Sequence, residues 1–306
     1  MPAFSTHYIF AKELMERLKS TVDFTVCENA VYIGAQGPDI FFFHRALPWQ
    51  RGKSLRGTGS ALHRAMPGDI LDYFAEYLQC SKNPNTAKSY AAGFIMHYAL
   101  DRKCHPFVYY IQDLITDKNR ALNPNSVHNT IELSLDSLLL SLKMGIEAPK
   151  AFETDKTFYC TVSEKAEIAE MLSYASQVVA PMSVTAQEVK TAIDDTKHAQ
   201  RLLLDANGKK EKAMRALESA AAPLTKNFKI SSFLRTDDLE NAKKYANINN
   251  GVWTSPFEAG KRHESFFKLF EDAKNEAIDI IKCFFGGASG GDCTDNISFL
   301  TGVKVK

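Results

Sequence analysis

Apolar residues recur every three or four positions along most of this 306-residue chain, the spacing that places them on one face of an α-helix. Helices are expected at residues 6–19, 60–80, 86–104, 107–116, 124–144, 163–179, 184–216 and 264–284. The chain shows no internal repeat. The fold class that the pattern predicts is all-α.

Proline and glycine mark where the predicted helices should stop. Pro106 removes a backbone N–H and its ring clashes with the preceding turn, so it is expected to end or kink the helix over 86–104. Residues 20–59 are expected to be loop-like, and a Gly-Pro pair within them favours a tight turn that presents Asp39.

The chain is expected to form one helical domain over residues 1–285, followed by a glycine-rich tail over residues 286–306. The tail sequence GGASGGDC lacks the Lys-Ser/Thr of a phosphate-binding loop and the spacing of a dinucleotide fingerprint, so a flexible linker is favoured. The helix over 184–216 is long and polar, and we expect it to face outward.

The composition is that of an ordinary globular domain, with 45% hydrophobic and 24% charged residues. A formal net charge of +1 gives no strong nucleic-acid signal, because polynucleotide binding draws on a surplus of Lys and Arg. The six cysteines form no CxxC motif, which is typical of reduced intracellular thiols. No transmembrane segment and no signal-peptide pattern is visible. The sequence therefore predicts a cytoplasmic protein and leaves its oligomeric state open.

Polar residues recur four positions apart on two of the predicted helices. His97, Asp101 and His105 lie on one, and His128 and Glu132 lie on the other. Residues i and i+4 share a helix face, but His97 and His105 are separated by about 12 Å of helix rise, too far for one metal ion. Because imidazole and carboxylate are zinc ligands, the spacing predicts two metal ions with Asp101 between them.

Two plainer interpretations compete with metal binding. A buried histidine is often only hydrogen-bonded in a core, and a His–Asp pair four residues apart is often a surface ion pair. The surrounding helix is strongly apolar, however, and several ionisable groups in such a setting are costly unless they are paired or coordinated. Other metal classes are excluded because the chain has no HExxH, Glu-x-x-His, His-Asp dipeptide or CxxC. His198 and His263 are expected to be solvated.

These residues resemble the zinc-dependent phospholipase C family, which is related to the P1/S1-type zinc nucleases. The resemblance rests on GAQGPDIFFFH, on the HxxxD of His97–Asp101 followed by His105-Pro106, and on the HxxxE of His128–Glu132. It covers residues 1–140 and resumes weakly at ANINNGVWTSPFEAGKRHESFFKLFEDA. The resemblance implies an all-α, multi-helix bundle of the phospholipase C / P1 nuclease type.

The resemblance also implies roles for individual residues and zinc as the cofactor. It implies two zinc sites, with ligands His63, His97 and Asp101 in one and His105, His128 and Glu132 in the other. A third zinc would lie near His7 and share Asp101 as a bridge. Asp39 stands where the family has an aspartate proposed as the general base. His44, which is closer to Asp39 in sequence, is the alternative to His63.

The chain departs from the family pattern in three places. Secreted members begin with a Trp whose amine and carbonyl bind the third metal, whereas this chain begins Met-Pro. The spacing from Asp101 to His105 is shorter than in well-known members, which moves the second imidazole. Residues 145–235 are longer and more polar than the family core needs, so they are expected to form an insertion or lid.

Together these observations predict a metal-dependent phosphoric-ester hydrolase, phospholipase C-like, in which clustered zinc ions activate water. The alternatives are a zinc-dependent single-strand nuclease or phosphomonoesterase and, in another class, a non-catalytic metal-binding interaction protein. The expected partner is a phosphate-ester substrate, a class that includes phospholipids. Four aromatic residues beside Asp39 would then form the apolar rim that approaches a bilayer, namely Phe41, Phe42, Phe43 and Trp49.

Overall fold

A computed structural model describes residues 3–221 and 225–305 of the chain, and within them it forms an all-α bundle. The α-helices are α1 (Phe4–Thr21), α2 (Glu28–Gly34), α3 (Arg56–Leu62), α4 (Pro67–Leu78), α5 (Pro84–Lys118), α6 (Pro124–Met144), α7 (Val162–Ala175), α8 (Ala186–Leu203), α9 (Lys209–Ala221), α10 (Leu239–Ala242), α11 (Phe266–Phe285) and α12 (Gly290–Thr294). Short 3-10 helices connect them at Gly37–Phe43, Pro149–Ala151, Thr154–Thr157, Ser176–Val179, Ile230–Phe233 and Lys243–Tyr245. The described residues contain no strand, only two isolated antiparallel bridges.

Helix α5 is the axis of the bundle, and α1, α2, α6 and α11 pack around it. Its middle is buried on every side, so residues from Ala91 to Asp101 are almost without exception apolar or part of the polar cluster described below. Helix α2 approaches it closely because glycines face each other: a Cβ on Gly34 would lie 2.3 Å from the Tyr90 carbonyl oxygen, and one on Gly93 would lie 2.2 Å from that of Val31.

Pro106 lies inside α5 without ending it. Of the two outcomes expected from the sequence, an end or a kink, the helix end is therefore wrong, and the two predicted helices are one. A proline leaves the carbonyl four residues earlier without its helical donor, here that of Arg102. Gly302 of the C-terminal segment covers this carbonyl: a Cβ on Gly302 would lie 2.7 Å from it and 2.8 Å from the Pro106 ring. Tertiary packing on both sides of the proline therefore holds the helix together.

Three further expectations differ from the structure. Residues 20–59 are not one loop, because they contain α2, a 3-10 helix that carries Asp39, and the start of α3. The helix expected over 60–80 is split after α3, and α4 begins at a proline. The helix expected over 184–216 is also two helices, with Gly208 at a φ of +67° between them. The first of these, α8, is not simply polar and outward, because its apolar face is buried against the bundle.

The glycine-rich segment after α11 is packed against the bundle rather than free. Its helix α12 lies on α4, where a Cβ on Gly290 would meet the Gly68 carbonyl oxygen at 2.0 Å. The Tyr98 hydroxyl of α5 donates to the carbonyl of Ile297 at 2.7 Å, and Phe299 is fully buried. The flexible linker that the composition favours is therefore wrong for the described part of this segment. The domain boundary at residue 285 stays a prediction.

No helix in the described part of the chain combines the length and the apolar character needed to cross a bilayer.

Candidate metal centre

A cluster of buried histidines and carboxylates surrounds the middle of α5. The helix contributes three of them on one face, as the spacing predicted, and five more come from other elements. These are His7 on the first turn of α1, Asp39 on the 3-10 helix, His63 just after α3, and His128 and Glu132 on α6. The structure thus brings together every residue that the sequence predicted for the site.

One group of donors is formed by His63, His97 and Asp101, whose ligand atoms all lie within 4.8 Å of one another. The Asp101 Oδ2 atom is 3.3 Å from His97 Nε2 and 3.6 Å from His63 Nε2. Ligand atoms placed tetrahedrally at zinc bond lengths lie about 3.3–3.6 Å apart. The spacing of this group therefore suits a single zinc ion.

A second group is formed by His105, His128 and Glu132, again with ligand atoms within 4.8 Å. The Glu132 Oε1 atom lies 3.0 Å from His128 Nε2 and 3.9 Å from His105 Nε2. The short spacing from Asp101 to His105 that sets this chain apart from the family pattern does not prevent the three residues from meeting.

Asp39 and His7 extend the first group. Asp39 Oδ1 lies 3.0 Å from His63 Nε2 and 3.9 Å from His97 Nε2, and Asp39, His7 and His97 form a third set of mutually close donors. His7 Nε2 lies 3.3 Å from Asp101 Oδ1, the oxygen opposite the one that faces His63 and His97. Asp101 can therefore bridge two ions, and Asp39 is placed as a candidate ligand as well as a candidate base.

The first turn of α1, which carries His7, is anchored by a buried carboxylate of α6. Asp136 Oδ1 accepts hydrogen bonds from the backbone N–H of Thr6 at 2.6 Å and from its hydroxyl at 2.9 Å. Its other oxygen accepts from Arg235 Nε at 2.7 Å. A carboxylate at a helix N-terminus satisfies free N–H groups and the helix dipole. This network fixes the position of His7 relative to the rest of the cluster.

Four of the imidazoles are oriented by hydrogen bonds through their Nδ1 atoms. The acceptors are the carbonyl oxygens of Gly59 for His63 (2.8 Å), Ala35 for His97 (3.2 Å) and Phe299 for His105 (2.8 Å), and the amide oxygen of Gln112 for His128 (2.8 Å). Because these oxygens only accept, each Nδ1 carries a proton, and each Nε2 is the ring nitrogen that faces the cluster. Such outer hydrogen bonds are typical of metal-ligating histidines.

Burial sets the protonation of most of the cluster. It is the largest influence on His7 and His105 and lowers their pKa to about 4 and about 3, so both are neutral at pH 7. Burial also raises the pKa of Asp39 well above its ordinary value. In Asp101 and Glu132 burial is outweighed by the neighbouring imidazoles, which hold the pKa of Asp101 well below its ordinary value and that of Glu132 at about 2. Neutral imidazole and ionised carboxylate are the forms that bind zinc.

Several of these atoms make no hydrogen bond within the described residues although they are buried. They are both ring nitrogens of His7, the Nε2 atoms of His63, His97 and His105, Asp39 Oδ1 and both oxygens of Asp101. Lone pairs of nitrogen and oxygen that face one another away from water are unfavourable without a proton or a cation between them. Burial lowers the pKa of His7, His63 and His105 and so disfavours a second proton on each ring. The donor set therefore fits metal ions.

One cleft of the described structure has Glu132, a member of the second donor group, among the residues that line it. Its walls are largely apolar and include Phe4, Phe43, Leu203 and Phe233. The ring centroid of Phe43 is 5.5 Å from that of Phe4 and 6.3 Å from that of Phe233. The cleft can therefore hold an apolar group beside the second set of donors.

The geometry separates His63 from its alternative, His44. His44 belongs to none of the donor groups found in the described residues, and its Nδ1 accepts a hydrogen bond from the Leu55 N–H at 3.2 Å. His44 therefore supports the loop before α3, whereas His63 faces Asp39. His198 and His263 are exposed, as expected.

The expected aromatic rim is only partly at the surface. Phe41 is fully buried, and Phe42 is half-buried with its ring centroid 5.7 Å from that of His63. Phe43 lines the cleft, and Trp49 is 68% exposed. The expectation that all four approach a bilayer is therefore wrong for Phe41, which belongs to the core because its 3-10 helix packs against α3 and α8.

Sequence reasoning missed the groups that hold the ligands in place. Three of the four oriented histidines bond backbone carbonyls, which any residue carries, so no sequence signal marks them. Gln112 lies about two helical turns beyond His105 on α5 and carries no motif of its own. Gly37 was identified from the sequence only as part of the turn before Asp39. Its contact with the metal centre was missed: its φ is +51°, and a Cβ there would lie 2.4 Å from the His97 ring.

A family model described as zinc dependent phospholipase C matches residues 6–186. Neither the curated proteins nor the solved structures give a match to the chain. The matched range contains all of the donors in the cluster, and it ends at the first residue of α8.

Proposed function

Because the chain belongs to the zinc-dependent phospholipase C family, we propose that it hydrolyses phosphoric esters with water activated by zinc. The observation that carries the proposal is the set of buried donor atoms around α5 that face one another without hydrogen bonds. A hydrolytic role is supported by the cleft lined in part by Glu132, because a catalytic zinc site needs access for substrate whereas a structural zinc site is closed.

We assign the ligands from the distances between donor atoms. His63, His97, Asp101 and Asp39 would hold one zinc ion, and His105, His128 and Glu132 a second. A third would be held by His7 and the free oxygen of Asp101. Zinc bound in this way polarises a phosphoryl oxygen and lowers the pKa of a bound water.

The protein's own residues then position the reactants. Asp39 has two carboxylate oxygens, so it can bind metal through Oδ1 and accept the proton of the attacking water on the other oxygen. The apolar walls formed by Phe4, Phe43 and Phe233 would bind the organic part of the ester and exclude water from it. A phospholipid has such an apolar part, so we propose a lipid phosphodiester as the preferred substrate.

The test combines metal analysis with activity. We expect purified protein to contain at least two zinc ions per chain and to hydrolyse a soluble phosphodiester and phospholipid micelles. Chelator should abolish both activities and added zinc should restore them. A zinc content below one ion per chain, even after zinc is added back, would contradict the metal assignment. A protein that binds zinc but hydrolyses no phosphoric ester would be a non-catalytic metal protein.

Substitution of the bridge makes the assignment specific. Asp101→Asn should release more zinc than any single histidine change, because one carboxylate serves two ions. Asp39→Asn should lose less zinc but still lose activity by at least a factor of about 100, the low end for a positioned proton acceptor. The exposed His198→Asn serves as the matched control and should change neither. If the two aspartate variants lost equal amounts of zinc, Asp39 would be a metal ligand and not the proton acceptor.

A further inference from the structure

The stretch from Lys197 to Ile230, which lies outside the matched range, concentrates positive charge. It contains eight lysines and arginines against three carboxylates, whereas the whole chain has 37 against 36. In the described part, the stretch comprises the end of α8, the turn that follows, α9 and the residues before the 3-10 helix at Ile230–Phe233.

The three carboxylates of this stretch are all occupied by internal contacts. Asp205 caps α9 by accepting from the backbone N–H groups of Lys210 and Glu211 at 3.0 and 2.8 Å. Glu211 forms ion pairs with Lys150 at 2.8 Å and Arg215 at 2.7 Å. Glu218 accepts from the Ser231 N–H and hydroxyl. None of the three is therefore left to neutralise the outward-facing cations.

Six of the cations are exposed and form no ion pair with any residue that the structure describes. We call them the basic face; they are Lys197, Arg201, Lys209, Lys212, Lys226 and Lys229. Large apolar side chains are exposed on the same elements: Leu202 is 38% exposed, Ile230 53% and Leu217 71%. A surface that mixes unneutralised cations with exposed leucine and isoleucine is typical of proteins that bind the surface of an anionic bilayer.

The stretch that carries the basic face also contributes residues to the cleft. Gln200, Leu203 and Asp205 of the same stretch line the cleft, as does Phe233 just beyond it. The backbone N–H of Lys229 donates to Ser126 Oγ at 2.8 Å, which ties the stretch to α6, the helix of His128 and Glu132. The Lys210 ammonium donates to the carbonyls of Leu202 and Leu204 and joins α9 to the end of α8.

We infer that the basic face docks on the surface of an anionic phospholipid bilayer and thereby brings the cleft to its lipid. The role given to docking, which is to supply the cleft with lipid, rests on the proposed function; the binding of the basic face to the bilayer does not. The cations would contact the anionic headgroups, and Leu217 and Ile230 would enter the headgroup layer. A polynucleotide fits less well, because single strands are bound by exposed aromatic side chains, and the one aromatic residue of the stretch, Phe228, packs against Phe233.

Vesicle sedimentation of the full chain tests this inference. Wild type should bind vesicles of phosphatidylcholine mixed with phosphatidylserine and bind vesicles of phosphatidylcholine alone much more weakly, with binding that weakens as salt is added. The variant Lys209→Gln/Lys212→Gln/Lys229→Gln should bind the anionic vesicles about 100-fold more weakly, since each cation near such a surface contributes about fivefold.

The matched control removes the same charge elsewhere. Arg17, Lys82 and Lys282 are exposed, form no ion pair with the described residues and lie on other elements. Their triple Gln variant should bind like wild type. Equal weakening of both variants would overturn the inference, as would absence of binding to anionic vesicles. A third outcome would also contradict the inference: wild type ignores vesicles but binds single-stranded nucleic acid, and only the Lys209/Lys212/Lys229 variant loses that binding. The basic face would then bind polynucleotides instead.

The readout also separates this inference from the proposed function, because sedimentation needs no catalysis. Vesicle binding by a protein that hydrolyses no phosphoric ester would contradict only the proposed function. Hydrolysis of a soluble phosphodiester by a protein that ignores anionic vesicles would contradict only the docking inference.

Discussion

The Nδ1 atom of His128 has a side chain as its hydrogen-bond partner. It bonds the amide oxygen of Gln112, whereas the other three oriented histidines use backbone carbonyls. Among these four Nδ1 bonds, that of Gln112 can therefore be removed by substitution without changing the backbone. Gln112 should act as a positioning residue for the second zinc site.

We expect Gln112→Leu to weaken zinc binding at the second site by about 10- to 100-fold, the usual effect of losing an outer hydrogen bond to a ligand. Competition between the protein and a zinc chelator would measure this. Gln112→Glu should restore affinity, because a carboxylate accepts the same hydrogen bond. Gln187→Leu, at an exposed position on α8, is the control. Wild-type affinity in Gln112→Leu would show that the bond does not orient His128.

Gly37 makes room for His97. A side chain there would need an unfavourable positive φ and would place its Cβ 2.4 Å from the His97 ring. Gly37→Ala should therefore lower the free energy of unfolding by about 2 kcal/mol or more and weaken zinc binding. At Gly57 nothing lies within 4 Å of an added Cβ, so Gly57→Ala should be neutral or stabilise by up to about 1 kcal/mol. Urea unfolding measures both, and equal effects would contradict this account.

At the level of residues, spacing in the sequence predicted the donors on α5 and α6, because i and i+4 positions share a helix face whatever the tertiary fold. His7, Asp39 and His63 came only from the resemblance, since they reach the cluster from separate elements. Their outer partners could not be predicted at all. A carbonyl such as that of Phe299 becomes a partner through the path of the chain, and not through its own side chain.

At the level of helices, apolar periodicity worked where a helix begins and ends with its own signals. Helix α6 has the predicted bounds because Asn123 caps it, Pro124 starts it and Gly145 ends it with a positive φ. It failed at Pro106, where the intrinsic cost of proline is overridden by packing of α5 against its neighbours. It also failed in the glycine-rich segment, whose glycines permit close contact with α4 and α5 rather than flexibility.

The packed C-terminal segment leads to a prediction about stability and metal together. Phe299 is fully buried, with its ring centroid 5.7 Å from that of His63, and its carbonyl orients His105. Phe299→Ala should lower the free energy of unfolding by about 3–5 kcal/mol. It should also reduce zinc content, because the carbonyl moves with the residue.

The exposed Lys304→Ala, in the same segment, should change neither property. Thermal unfolding and elemental analysis of the two variants would check the prediction. Loss of stability in Phe299→Ala with full zinc content would show that the segment supports the fold but not the centre.

At the level of the whole molecule, the near-neutral net charge conceals an uneven distribution. The sequence total of +1 gave no general nucleic-acid signal, and it could not show that one stretch is basic and that its carboxylates are occupied by internal contacts. Residues 145–235 were expected to form an insertion or a lid, and that they move as a lid remains a prediction. In the structure, the C-terminal half of this range forms one side of the cleft.

The contact between His105 and the carbonyl of Phe299 joins residues 194 positions apart. Its consequence concerns the order of events during synthesis. Every donor of the cluster has been synthesised once α6 has left the ribosome, but the His105 imidazole gains its acceptor only when Phe299 has also emerged. Contacts of such long range form late in folding, so the centre should reach its final zinc affinity only after the segment around Phe299 has packed.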